Sequence, residues 1–190
     1  MNEPSWDQHF SYIASDDHAH ALGRFALAFN LLEMMLSLFF RHYLAESEKL
    51  SNHLFGSLNN RQRVDIIKIC ANETGKRSEI ELVEYALKCF DLCSENRNLL
   101  LHATPFIQEN DGNLIVGKRS DQEKGFIKSY AFDVDTIRCA ALDTYCVYQF
   151  VLSVTRYLEQ PISSGNELSV LPERPPQPRK LSLHRYSIVP

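Results

Sequence analysis

The sequence predicts a mainly α-helical protein, an antiparallel bundle of four to five helices with a small β-hairpin inserted before the last long helix. Apolar residues recur at three- and four-residue intervals over most of the 190-residue chain, as in helices that bury one face. This pattern breaks after Pro105 and resumes at Asp133, with an Asn-Asp-Gly-Asn turn signal between. We therefore expect a helical domain over residues 1–160 and a proline-rich, extended tail over residues 161–190.

The first helix is predicted from about Asp17 to Ala45. Two adjoining apolar stripes follow the helical spacing: Leu22, Phe25, Phe29, Leu32, Leu36, Phe39 and Tyr43, then Leu27, Leu31, Met34 and Leu38. A helix apolar on so many sides needs more cover than one neighbour gives, so we expect a bundle core and a subunit interface. His18 and His20 point to different sides and are expected in a solvated first turn.

Glu33 lies inside this apolar arc, and two interpretations of it stay open. It is either a carboxylate at the core boundary satisfied by local hydrogen bonds, or a partner that faces Arg97 and holds it in place.

The sequence predicts a connection over residues 46–60, followed by a short helix that ends near Asn72 to Gly75. The basic residues of that helix are expected on its solvated face: Arg61, Arg63 and Lys68. The next long helix begins at Arg77 or Ser78 and reaches about Leu101, because Pro105 disfavours helical geometry at the residue before it.

The β-hairpin is predicted from Phe106-Ile107 and Leu114-Ile115-Val116, with a third extended piece over Phe126 to Phe132. Asp133 or Asp135 caps a last helix that reaches about Glu159. In the tail that follows, prolines alternate with charged residues, which is typical of a docking peptide for a partner or of a solvated terminus.

Composition narrows the classes of function. The net charge of −4 disfavours a nonspecific nucleic-acid coat, so phosphate recognition would need a local positive site. No secretion leader is visible and the longest apolar run is too short to cross a bilayer, so we expect a cytoplasmic protein without a membrane partner. The sequence has five cysteines, an odd number, and their spacing matches no common zinc pattern. We therefore expect reduced thiols, no metal and no cofactor.

One charged residue interrupts the apolar face of the long helix that begins near Arg77. Indexed at 100° per residue, the face consists of Ile80, Val83, Ala86, Phe90 and Cys93, and Arg97 falls in its middle. A guanidinium is costly to bury unless it meets an anion or carboxylate, so the sequence predicts a functional site at Arg97.

Arg97-Asn98-Leu99-Leu100-Leu101-His102 resembles the R-x(4–6)-H signature of HEPN domains, with Asn98 matching the polar residue often found after the arginine. The resemblance covers residues 17–160 as architecture and six residues as sequence. It implies a helical bundle that forms a homodimer, with the paired motifs at the subunit interface.

The same resemblance implies a metal-independent endoribonuclease, a toxin or defence effector that acts on RNA and is held by an antitoxin or regulatory protein. Arg97 and His102 would be its catalytic residues, with Asn98 and Glu33 in support. The alternative is a non-catalytic HEPN-like module for partner or nucleotide binding and assembly. Residue chemistry fits the first, because histidine moves protons near neutral pH and guanidinium stabilises a charged phosphorane.

Helix geometry adds a condition to this hypothesis. Five residues of regular helix rotate His102 about 140° away from Arg97. Either the helix unwinds before His102, or a second subunit completes the site.

Overall fold

A computed structural model describes residues 14–44, 48–105, 113–119, 127–159 and 171–181. The helices and strands of these residues are α1 (Asp16–Tyr43), α2 (Glu48–Ser57), α3 (Asn60–Thr74), α4 (Arg77–Leu100), β1 (Thr104–Pro105), β2 (Leu114–Arg119), β3 (Ile127–Phe132) and α5 (Val134–Glu159). The strands form an antiparallel sheet in the order β1-β2-β3. The predicted fold class, a helical bundle with a small sheet before the last long helix, is confirmed.

The chain divides into two compact units. Unit 1 comprises Met1–Phe29, Leu92–Asp143 and Arg179–Pro190, and unit 2 comprises Asn30–Asp91 and Thr144–Pro178. Helices α1, α4 and α5 each contribute residues to both units.

The core of unit 1 forms between the start of α1, the end of α4, the sheet and the start of α5. Its buried cluster is Ala21, Phe25, Leu100, Leu114, Val116, Tyr130, Phe132, Ile137, Ala140 and Leu181. Within the sheet, Leu114 is opposite Phe132 and Val116 is opposite Tyr130, so apolar pairs face one another across the strands. Asp133 caps α5 by accepting a 2.6 Å hydrogen bond from the Thr136 amide, which lowers the pKa of the Asp133 carboxyl.

The sheet partly matches the predicted hairpin. Leu114-Ile115-Val116 lies in β2, and β3 covers nearly all of the predicted third piece. Phe106-Ile107 and the turn residues 110–112 lie outside the described residues. Among the described residues, the strand that precedes β2 and pairs with it is β1, through Thr104 and Pro105.

Unit 2 contains residues of all five described helices. Its fully buried aromatic and aliphatic residues include Leu32, Leu36, Phe39, Phe40, Ile67, Leu87 and Val154. Helix α2 occupies the predicted connection, where the ring of Phe55 packs edge-on against Phe40 at 5.5 Å between centroids. Asn59 and Gln62 form a capping box that starts α3, with Asn59 as the helix N-cap.

His18 is buried, which corrects the prediction of a solvated first turn. Its side chain is 1% exposed, and both ring nitrogens have partners. Nε2 donates to the carbonyl oxygen of Phe132 at 3.2 Å, and Nδ1 lies 2.7 Å from the Ser15 hydroxyl oxygen. Burial therefore costs the imidazole no hydrogen bond, whereas His20 is exposed as expected.

Arg63 also departs from its predicted place on a solvated face, because its side chain is only 13% exposed. The guanidinium donates to the Phe55 carbonyl oxygen at 2.9 Å and to Asn60 Oδ1 at 2.6 Å, and lies 3.9 Å from the centroid of the Phe55 ring. These contacts replace the water that a buried guanidinium loses.

Residues 171–181 contain no helix or strand, and they are packed rather than fully solvated. In unit 2, the Tyr85 hydroxyl donates to the Pro175 carbonyl oxygen, and Arg174 lies 5.4 Å from the centroid of the Tyr85 ring. In unit 1, Leu181 enters the buried cluster.

Among the described helices, α1 is long and apolar enough to cross a membrane by length and composition, although the sequence predicted no such span. The core helix of a soluble protein has the same two properties. In α1 the rings of Phe25, Phe29 and Phe39 are at most 1% exposed, as in a core helix.

Candidate functional site

Arg97 continues the buried face of α4. Val83, Ala86, Phe90 and Cys93 on that face are buried, and Arg97 is half-buried at the next position. Its guanidinium carbon lies 5.2 Å from the centroid of the Phe29 ring, within the range of a cation–π contact. Arg97 forms no ion pair with a carboxylate of the described residues.

His102 lies just beyond the end of α4. The Leu101 amide donates to the Arg97 carbonyl oxygen at 2.8 Å, and the next residues form a bend that leads into β1. The His102 side chain is exposed there. Because α4 ends at Leu100, the first of the two geometric conditions, unwinding before His102, is met.

Asn98 and Asn96, on the last turns of α4, have different surroundings. Asn98 is exposed, as a residue that contacts a bound phosphate would need to be. Asn96 is 1% exposed, and its amide donates to the Arg179 carbonyl oxygen at 2.9 Å and accepts from the Leu181 amide at 3.0 Å.

Sequence reasoning assigned no role to Asn96, although a signal for it exists. The residues Cys89, Cys93, Asn96 and Leu100 follow one helical stripe, and all four are buried. An asparagine at an apolar stripe position breaks the pattern in the same way as Arg97 does. Such a buried amide requires partners, and residues 179–181 supply them.

Glu33 forms its ion pair with Arg63, at 3.2 Å between Oε1 and Nη1. Both residues belong to unit 2, and their side chains are 31% and 13% exposed. The carboxylate therefore has a basic partner in α3, and the Glu33–Arg97 pair stays a prediction.

An apolar stripe on α1 remains exposed. Leu27, Leu31 and Met34 follow the spacing of one helix face and are 66%, 37% and 51% exposed. Exposed apolar residues in a contiguous stripe mark an interaction surface more often than singly scattered ones do.

The described residues contain no group of three or more His, Cys, Asp or Glu side chains placed to hold a metal ion. All five cysteines are free, with Cys89 and Cys93 buried and Cys146 exposed. Burial raises the pKa of the Cys89 thiol, and a protonated thiol is a poor nucleophile and metal ligand.

Comparison with known proteins finds no relative: no family model, curated protein or solved structure matches the chain.

Proposed function

We propose that this chain is a HEPN-like, metal-independent endoribonuclease that acts as a homodimer in the cytoplasm. The observation that carries the proposal is Arg97, a half-buried guanidinium held over Phe29 without a carboxylate partner among the described residues. His102 follows within the same short segment, past the end of the helix and open to solvent. An arginine without a carboxylate partner among the described residues, followed closely in sequence by an accessible histidine, supports phosphate chemistry.

The proposed reaction is transesterification within RNA. The ribose 2′-oxygen forms a bond to phosphorus while the bond from phosphorus to the 5′-oxygen breaks. A base takes the 2′-hydroxyl proton, an acid gives a proton to the departing 5′-oxygen, and a 2′,3′-cyclic phosphate remains. No oxidant, metal or cofactor is needed to balance this step.

In the proposed site, Arg97 donates hydrogen bonds to the non-bridging phosphate oxygens, whose negative charge increases in the transition state. His102 serves as the acid or the base. Asn98 orients the phosphate from the exposed side of α4. Glu33 stays a predicted supporting residue, and its described partner is Arg63.

A homodimer would give this site both proton-transfer groups. One histidine would accept the 2′-hydroxyl proton and the partner's copy would donate to the leaving oxygen. The exposed Leu27, Leu31 and Met34 stripe supports such an assembly, since it leaves apolar surface for a second copy to cover.

The nuclease proposal is tested by incubating the purified chain with single-stranded RNA in EDTA. We expect cleavage with cyclic-phosphate ends, and a loss of about 10²-fold or more in rate for His102→Ala and for Arg97→Ala. His53→Ala, at an exposed histidine of α2, is the matched control and should cleave like the parent. Equal cleavage by the parent and His102→Ala would contradict the catalytic assignment.

A second candidate function is non-catalytic assembly with a partner protein, such as an antitoxin or regulatory protein. The exposed α1 stripe favours it independently of Arg97, because an apolar surface serves assembly without chemistry. This candidate predicts no RNA cleavage, together with lower stability or weaker dimerisation for Arg97→Ala.

A further inference from the structure

Unit 1 holds residues 179–181 by contacts that resemble the recognition of a peptide ligand. The buried amide of Asn96 bonds the carbonyl of Arg179 and the amide of Leu181, two residues apart. An extended strand presents its backbone groups with this period, so one asparagine acts as a short piece of neighbouring strand. These two hydrogen bonds involve only backbone groups of Arg179 and Leu181, so they do not depend on the side chains of residues 179–181.

Side-chain selection comes from two carboxylates and the apolar cluster of unit 1. Asp143 Oδ2 accepts from the Arg179 amide at 3.1 Å and from Arg179 Nε at 3.2 Å. Glu95 Oε2 lies 2.7 Å from Lys180 Nζ. Leu181 is 8% exposed within the apolar cluster of unit 1. The chemistry therefore selects two basic residues followed by a large aliphatic residue.

The two ion pairs of residues 179–181 are weak contacts. The side chains of Arg179 and Lys180 are each 66% exposed, and ion pairs at such positions contribute little to stability. Leu181 is the one side chain of residues 179–181 that is buried. A segment held this way opens locally at a lower free energy than the whole domain unfolds.

We propose that Asn96, Glu95 and Asp143 form a docking site for an extended peptide in which two basic residues precede a large aliphatic residue. Residues 179–181 occupy this site as a releasable intramolecular ligand, and a peptide of the same chemistry from a partner protein competes for it. The proposal does not rest on nuclease activity, and its tests do not measure cleavage.

The first test measures binding of a fluorescein-labelled peptide with the sequence of residues 176–183 to full-length chains. The variant Leu181→Asp weakens the intramolecular ligand, and we expect it to bind the peptide at least tenfold more tightly than the parent does. Leu171→Asp is the matched control, because Leu171 is 52% exposed, and it should bind like the parent.

Two further arms establish which groups bind the peptide. Adding Asn96→Ala to Leu181→Asp should lower affinity at least tenfold, and so should aspartate in place of leucine in the peptide. A Leu181→Asp chain that is folded by circular dichroism and binds neither peptide, or both equally, overturns the proposal.

The second test needs no variant and decides the matter if Leu181→Asp does not fold. In native-state hydrogen exchange of the parent chain, the Leu181 amide should exchange at least tenfold faster than the Cys93 amide in the middle of α4. Exchange of both amides at one rate, through global unfolding alone, would show that the segment is not releasable.

Discussion

Tyr43 shows how a single buried oxygen affects the stability of unit 2. Its hydroxyl is buried without a hydrogen-bond partner among the described residues. Burial raises the pKa of Tyr43 from 10.0 to about 12, with smaller contributions from Glu79 and Cys70. Both facts have one origin, because an unsatisfied hydroxyl in an apolar site cannot accommodate a phenolate.

Replacing Tyr43 by phenylalanine should leave the free energy of unfolding at pH 7 unchanged or raise it by about 1 kcal/mol, since the unpaired hydroxyl is removed. Urea denaturation of both chains measures the difference. Tyr145→Phe, at an exposed tyrosine, is the control. A loss of more than about 1 kcal/mol for Tyr43→Phe would mean that the hydroxyl has a partner.

The same variant carries a pH prediction. The folded pKa lies above the unfolded value, so the protonated tyrosine contributes stability that is complete below pH 10 and lost as pH rises towards 12. Between pH 8 and pH 11 the parent should therefore lose about 1 kcal/mol more than Tyr43→Phe, after allowance for solvent screening of the partly exposed ring. Parallel slopes for the two chains would contradict this.

Arg63 determines how α3 is attached within unit 2. Its guanidinium joins Glu33 of α1, the Phe55 carbonyl of α2 and Asn60 at the start of α3. Arg63→Ala should lower the free energy of unfolding by about 2 kcal/mol, because a mostly buried carbonyl and carboxylate lose a charged donor.

Arg61→Ala is the matched control for this experiment, because Arg61 is an exposed arginine two residues away on the same helix. Its effect should stay within about 0.5 kcal/mol. A double-mutant cycle of Arg63→Ala with Glu33→Gln isolates the ion pair, for which we expect a coupling of about 1 kcal/mol at this exposure. Equal effects of the two arginine variants would mean that α3 is held by its apolar face alone.

Long helices are the elements that the sequence predicts well. The ends of α1, α4 and α5 fall within about two residues of the prediction, because apolar spacing and Asp133 as a cap are local features. Helix α2 is missed because its packing depends on the contact of Phe55 with Phe40. That contact is tertiary, and a window of local sequence does not contain it.

Some of the important polar residues can be recognised from local sequence, and others cannot. Arg97 could be found from its place in an apolar stripe, which is a local observation. His18 could not, since its carbonyl partner, Phe132, is 114 residues away in sequence. Asn96 breaks its stripe visibly, yet the partners at Arg179 and Leu181 become evident only when the chain is folded.

For the whole molecule, the exposed stripe on α1 predicts a dimer. A charged residue introduced into that stripe should break the dimer. Leu27→Glu should convert the protein to the 21.9 kDa monomer, measured by size-exclusion chromatography with light scattering, because a buried carboxylate at an interface has no partner. Leu142→Glu is the matched control, at a leucine of α5 that is 60% exposed against 66% for Leu27.

A monomeric parent chain, or equal dissociation by both glutamate variants, would contradict an interface on α1. If Leu27→Glu is monomeric and also loses RNA cleavage, while Leu142→Glu retains both properties, a composite site between two copies is supported.

The presence of Leu181 in the core of unit 1 has a consequence for the timing of folding during synthesis. Phe25 and Leu100, which belong to the same cluster, are made long before Leu181. At typical rates of translation the ribosome needs on the order of ten seconds to proceed from Phe25 to Leu181. After the Arg97 segment has been made, the nascent chain therefore carries an incomplete apolar cluster until Leu181 is added.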